Sequence, residues 1–419
     1  MEYIKRAVEP VLERSRRTFK TVLVTGPRQA GKSTLLKETF KGVAAVTFDD
    51  KFQLKNALSD PVLFLKDNPP PLILDEVQYA PELFPEIKRV CDNSKEYGRY
   101  FLSGSQQFNL MTRVDETLSG RVALHELQGL SMREIKTVNF NMPFVPNDNY
   151  FQERKKHLAP YDNIWKRIHR GFNPELQFEE IDWSTYWSSY VQTYMERDVT
   201  QLVNVKDKMA FITFMTAVAA RTGQMLNYSA IADEIGKAVT TIKEWISVLQ
   251  ASGLIFLLQP YSSSALNRAI KTPKIYFRDT GLACYLTRWL TPETLRASAM
   301  NGNIFETFVV SEILKSFSNA GIDYRFCVFY YRGKDKKHVR QNGMTESTDR
   351  EIDLVIHENG ILYPIEIKMS ANPDSGMASA FDVLDLDKTK TRGKGAVICL
   401  YDKLTHLREN LLAVPIDYI

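Results

Sequence analysis

The sequence predicts an α/β protein in three parts: a parallel sheet covered by helices, then a helical stretch, then a second, smaller α/β unit. Three observations predict it. Residues 19–135 alternate short apolar runs with helical patterns; residues 183–260 keep a helical period that ends in an apolar run, LIFLL; residues 322–368 return to strand-like runs. Short strands alternating with helices imply a parallel sheet with both faces covered. At roughly 100–200 residues per domain, a chain of 419 residues has room for each part. The expected divisions are 1–135, a connector at 136–200, 201–295 and 296–419.

In the first part the runs VLVT (22–25), AVTF (45–48), LILD (72–75), RYFLS (99–103) and VALHEL (122–127) read as strands. STLLKETF and PELFPEIKRVCDN read as helices between them, and Pro69-Pro70-Pro71 bars a helix from running into LILD. Gly26-Pro27-Arg28-Gln29-Ala30-Gly31-Lys32-Ser33 fits G-x-x-x-x-G-K-[S/T], placed between a strand and a helix that continues through Thr34. The glycines let backbone N–H groups wrap a phosphate, the lysine reaches the β- and γ-phosphates, and the serine hydroxyl ligates Mg²⁺. LILDE then puts Asp75 at the carboxyl end of a buried strand, where it would share that Mg²⁺, with Glu76 beside it to polarise the attacking water. Ser103, Ser105 and Gln106, at the end of the next strand, are candidate sensors of the γ-phosphate. Arg121, in SGR, is a candidate finger for transition-state charge, supplied in trans if the chain forms a homo-oligomer.

TGPRQAGKSTLL, LILDEVQ, FLSGSQ and LSGRV together resemble the prokaryotic AAA-type ATPases of the AAA_14 class that carry a C-terminal domain of unknown function, family 4143. YMERDV, RTGQMLNYSAIADEIG, TPKIYFRDTGLACYL, IFETFVVSEILK and EIDLVI…YPIEIK extend the resemblance over nearly the whole chain. It implies ATP binding, and a C-terminal region made of a winged helix and a nuclease-like domain. The chain departs from that pattern at Arg170–Glu175, which has one glycine where relatives have a pair, and in a longer basic insertion between Tyr331 and Glu351.

YSAIADEIG (228–236) followed by TTIKEWISVLQASG (240–253) reads as helix, turn, helix, with Ala230, Ile231 and Ile235 facing Ile242, Trp245, Ile246 and Leu249. In DNA readers of this shape the second helix enters the major groove. Its leading residues here are Thr240, Thr241 and Lys243, with Lys237 before them and Asn267, Arg268, Lys271 and Lys274 on the following wing as phosphate contacts.

In the last part Glu306 lies in a helical run, Asp353 starts the strand IDLVI, and Glu366-Ile367-Lys368 ends another. Alternation along a strand points Glu366 and Lys368 to one face. An adjacent strand carrying Asp353 would complete a carboxylate pocket for a second Mg²⁺ or Mn²⁺, with Glu306 in its shell and Lys368 stabilising charge. The order helix, strand, strand, strand, helix, strand with D…ExK resembles the PD-(D/E)XK nuclease fold. The basic run Arg332–Arg340 would lie near that pocket, available to a phosphate backbone.

A formal charge of +4 does not by itself argue for nucleic acid. Four cysteines, far apart and without CxxC, suggest neither zinc nor a disulfide frame. With no leader-like start and no run of 18 apolar residues, a cytoplasmic location away from membranes is expected. The expected activity is Mg²⁺-dependent ATP hydrolysis coupled to a nucleic-acid-binding, nucleolytic C-terminal region, with DNA and further copies of the chain as candidate partners beside ATP. The alternative is a nucleotide-dependent switch or scaffold that docks a protein without cutting.

Overall fold

Five strands, β1 (Thr21–Thr25), β2 (Ala44–Thr47), β3 (Leu72–Asp75), β4 (Tyr100–Gly104) and β5 (Val122–Glu126), form one parallel sheet in the order β2-β3-β4-β1-β5. The computed structural model describes residues 2–105, 117–161, 163–195, 199, 207–262, 272–334, 338–339, 345–346, 349–387 and 389–419. Val22 and Val24 of β1 pack with Leu35, Leu36 and Phe101 on one face; Leu23 packs with Leu74, Phe84 and Leu102 on the other. β1, β3 and β4 are buried on both faces, and such strands read as unbroken apolar runs rather than alternating ones, which is why these three were legible.

The middle of the chain brings the helices Trp183–Tyr194, Lys208–Ala219, Tyr228–Ile235 and Val239–Ala251 together with β6 (Gln224–Met225), β7 (Ile255–Leu258) and β8 (Lys274–Phe277). The three strands form a small antiparallel sheet in the order β6-β8-β7. Gly236, at φ 66°, closes the first helix of the helix-turn-helix, and Ile231, Ile242, Trp245, Ile246 and Leu249 are buried as the spacing predicts. Ala230 and Ile235 are only half-buried.

The C-terminal unit starts with the long helix Asn301–Asn319. It continues through β9 (Val328–Lys334), β10 (His338–Val339), β11 (Thr345–Glu346), β12 (Asp349–Glu358), β13 (Ile361–Ile367), β14 (Thr391–Arg392), β15 (Gly395–Cys399), β16 (Thr405–Arg408) and β17 (Leu411–Pro415). Its main sheet runs β16-β17-β15-β13-β12-β9 and is mixed. Between β13 and β15 a helix was expected. The described residues there form 3₁₀ turns, Ser375–Ala378 and Phe381–Leu386. Pro373, Asp374, Ser375 and Gly376 disfavour a continuous α-helix, and Asp374 bonds the Gly376 N–H instead.

One apolar core runs from Met132 to Ile419 and takes in Phe144, Trp165, Ile168 and Phe172 of the stretch 136–182. The Asn301–Asn319 helix is also tied to the first unit by polar contacts. Glu312 accepts the Met132 N–H at 2.8 Å, and the Lys315 ammonium donates to the Leu130 carbonyl at 3.0 Å. Among the described residues no helix is long and apolar enough to cross a membrane.

Candidate functional site

The loop after β1 leaves the sheet at its carboxyl end. A Cβ on Gly26 (φ 149°) would lie 2.0 Å from the Leu127 carbonyl oxygen, so no other residue fits. Gly31, at φ 88°, turns the chain into the helix Lys32–Thr39. The Lys32 ammonium donates to the Gly26 and Pro27 carbonyls at 3.1 and 2.9 Å. The Ser33 hydroxyl donates to Asp75 Oδ1 at 2.7 Å, and Ser103 donates to the same oxygen. Glu76, in the left-handed region at φ 55°, accepts from Ser105 Oγ at 3.2 Å and from the Gln78 amide. The expected constellation of Lys32, Ser33, Asp75, Glu76, Ser103 and Ser105 is thus brought together; Gln106 lies outside the described residues. A hydroxyl and a carboxylate oxygen in contact are hard donors that suit a shared Mg²⁺, so Ser33 and Asp75 fit that ion.

The loop borders a cleft of about 700 Å³ whose walls include Arg28, Gln29, Gly31, Lys32, Ser33 and Thr34. The far wall was not read from the sequence: it comes from the N-terminal arm (Tyr3, Arg6) and from Pro174, Phe178 and Tyr190. Tyr186 donates its hydroxyl to Gln29 Oε1 at 2.8 Å, and Gln29 sits at φ 58°. Asn173 donates to the same hydroxyl at 2.8 Å. The middle of the chain therefore holds the phosphate loop from outside the sheet. Arg6 is buried and donates to Ala30 O at 2.9 Å and Gln128 O at 2.7 Å, while pairing with Glu134 at 3.0 Å. Burial alone would raise the Glu134 carboxyl; the Arg6 charge and the N–H groups of Ser131 and Ala7 outweigh it and hold it below its ordinary range. No local motif marks Arg6 or Tyr186.

Arg121 is elsewhere. Its carbonyl accepts the Thr21 N–H, so it precedes β5 at the amino end of the sheet, a full strand (roughly 16 Å) from the loop that follows β1. Its guanidinium forks onto the Asp92 carboxylate, one arm at 3.1 Å, and donates to Ser119 O at 3.0 Å. It does not reach the cleft of its own chain.

In the C-terminal unit the Glu366 and Lys368 side chains pair at 2.6 Å, and the Ile367 N–H donates to Asp353 Oδ2 at 2.9 Å. A register shift between Ile352 and Val355 interrupts the β9–β12 ladder at Asp353, the kind of irregularity that re-aims a side chain. Glu306 reaches the same place from its helix. The cation among them is Lys274 of β8, which was expected on a wing facing phosphates. Its side chain is 3% exposed, and its ammonium lies 2.6 Å from Glu351, 3.1 Å from Glu306 and 3.6 Å from Asp353. Tyr276, two residues on, donates to Glu306 at 2.6 Å. Burial first, and then the Asp353 charge, push both Glu306 and Glu366 above the usual carboxylate range, against the lysines. Among the described residues no group of three or more His, Cys, Asp or Glu side chains is set to hold a metal ion.

Of the other candidate nucleic-acid contacts, Thr240 and Lys243 are exposed, Thr241 is half-buried and Lys237 pairs with Asp207 at 3.1 Å. Lys243 lies over the Tyr228 ring. Asn267, Arg268 and Lys271 fall outside the described residues, as do Asp335, Lys336, Lys337 and Arg340 of the basic run.

Residues 18–136 match the family model of the AAA domain AAA_14, residues 161–293 the domain of unknown function DUF8612, and residues 301–419 the domain of unknown function DUF4143. The helix-turn-helix falls within the DUF8612 match. "Uncharacterized protein Mb2031c" of Mycobacterium bovis and "Uncharacterized protein Rv2008c" of Mycobacterium tuberculosis are each 26% identical over 410 residues, 97% of this chain and 82% of theirs. Among solved structures, the Walker-type ATPase PABY2304 of Pyrococcus abyssi is 15% identical, with a TM-score of 0.40, over 66% of this chain and 94% of that one. The signal-transduction ATPase PH0952 of Pyrococcus horikoshii, with a tetratricopeptide repeat sensor, is 13% identical, with a TM-score of 0.23, over 76% and 47%. The family matches and the phosphate-loop geometry agree on the architecture: an N-terminal part similar to the AAA-type P-loop ATPases of the AAA_14 class and a C-terminal part similar to DUF4143.

Proposed function

We propose that the protein is a Mg²⁺-dependent ATPase that works as a nucleotide switch, with its helix-turn-helix and C-terminal units as the output. The observation that carries this is the contact of the phosphate loop with the middle of the chain, through Tyr186 on Gln29 and the close approach of Gly253 to Pro27. A nucleotide seated there is felt outside its own domain. Ser33 and Asp75 would hold Mg²⁺, which neutralises charge developing on the β- and γ-phosphate oxygens. Lys32 leaves the loop carbonyls for the phosphates, Thr34 and the loop N–H groups of 26–33 hold the rest of the chain of phosphates, and Glu76, steadied by Ser105 and Gln78, orients the attacking water. Arg121 acts, on this reading, only on a neighbouring copy. Glu76→Gln should keep ATP affinity and lose roughly 10²–10³ in turnover. Wild-type turnover in that variant would remove Glu76 from the mechanism.

A second reading, nucleolytic, is favoured by the grouping of Asp353, Glu366 and Lys368 with Glu306, and by Lys243 and Thr240 exposed at the start of the second helix. Here Asp353, Glu366 and Glu306 would be ligands of a second Mg²⁺ or Mn²⁺, and Lys368 would stabilise phosphate charge. A DNA and RNA cleavage panel with Mg²⁺ or Mn²⁺, with and without ATP, on wild type and Asp353→Ala decides between nuclease and docking scaffold.

A further inference from the structure

Glu306, Asp353 and Glu366 lie on the helix and strands of the C-terminal unit, but Lys274 comes from β8 of the small antiparallel sheet that backs the helix-turn-helix. That sheet meets the C-terminal one along Gln259–Tyr261, which exchanges backbone hydrogen bonds with Tyr330 of β9. The Lys274 ammonium lies 5.8 Å from the Tyr330 ring centroid as well as against three carboxylates. A divalent cation would need the oxygens of Glu306 and Asp353 that the ammonium already faces, and two cations do not share one set of ligands. As folded, therefore, the set does not fit a metal. One donor is left over: Glu366 is 7% exposed, beside Asp353, and its Oε2 is buried without a hydrogen-bond partner. Such an atom is costly unless something takes its charge.

We propose that Lys274 is a built-in cation that plugs a latent divalent-metal pocket, so that the C-terminal unit as folded excludes Mg²⁺ or Mn²⁺ and accepts it once the ammonium is removed. The pocket is closed by a neighbouring unit of the same chain rather than by a lid of its own. This rests on reading Asp353 and Glu366 as metal ligands, and it does not depend on cleavage.

The test is Mn²⁺ binding to the full chain without nucleotide, followed by the electron paramagnetic resonance of free Mn²⁺. Each background is paired with Asp353→Ala so that any contribution from the phosphate loop cancels. Wild type should bind Mn²⁺ no better than Asp353→Ala. Lys274→Met should gain one Asp353-dependent site, at least tenfold tighter than anything wild type shows. Glu351→Gln, at a side chain 39% exposed and outside the metal set, takes the charge from the shortest contact to the lysine and loosens its hold. It should admit Mn²⁺ partway, and it decides the matter if Lys274→Met does not fold. An Asp353-dependent site equally tight in wild type and Lys274→Met overturns the plug while leaving the metal-ligand reading standing. No Asp353-dependent site in either Lys274→Met or Glu351→Gln overturns both.

Discussion

Two lysines at two ends of the molecule show how surroundings decide what a cation can do. Lys32 and Lys274 are both buried and both sit where the middle of the chain meets another unit. Lys32 donates to the carbonyl oxygens of Gly26 and Pro27, which are dipoles without net charge. A phosphate oxygen competes well against those two contacts. Lys274 faces Glu306, Glu351 and Asp353, and an incoming anion has nothing to offer that three carboxylates do not. The same side chain touches carbonyl dipoles in one setting and is a fastening in the other.

Removing the fastening should have the largest effect. Lys274→Met strands buried carboxylates, and chemical denaturation should show a loss of about 3–5 kcal/mol. Adding Mn²⁺ should return part of it, since a ligand that binds only the folded state stabilises it. Lys368→Met is the control: its side chain is 43% exposed though its partner Glu366 is buried, so water replaces part of the contact and the loss should be smaller, about 1–2 kcal/mol. Equal losses in the two variants would erase the distinction between them. Lys32→Ala, next in size, should weaken ATP binding by about 100-fold in calorimetry, the loss of one strong charge-assisted contact, with little change in melting temperature. A large drop in stability there would make Lys32 a fastening too. The smallest effect is expected from Tyr186→Phe, which keeps the ring packed and loses the hydroxyl on Gln29; about 1 kcal/mol, or roughly fivefold in ATP affinity, should be lost. Unchanged affinity would mean that the loop holds its shape without help from the middle of the chain.

What could be read in the sequence follows the distance over which each feature is built. The phosphate loop, Asp75 and Glu76 were legible because a strand end and the few residues after it set their geometry locally. Gly236 and the buried face of the helix-turn-helix were legible for the same reason. The Arg6–Glu134 pair spans 128 positions and the Tyr186–Gln29 bond spans 157, and no periodicity reports on such pairings. Lys274 was assigned to solvent because a lysine after an expected loop ordinarily faces water; its burial depends on how two sheets meet. Arg121 is a different case. A residue directly before a strand of a parallel sheet lies at the amino end, away from the phosphate loop, so its distance from its own cleft was already implied by the strand–helix alternation.

The helix Asn301–Asn319 has a mechanical consequence. At one point Lys315 and Glu312 grip the backbone of Leu130 and Met132, in the segment where Arg6 also clasps Gln128 and the phosphate loop; at another, Glu306 holds Lys274. The stretch between them has no proline or glycine at which to bend. Nine residues at 1.5 Å each make a stiff beam of about 13 Å. A tilt of about 5° pivoting at the Leu130 end would carry Glu306 sideways by about 1 Å, enough to pull a 3.1 Å contact apart. The strap beside the phosphate loop and the clasp on Lys274 are thus two ends of one unbroken helix, and the spacing of one is fixed against the other.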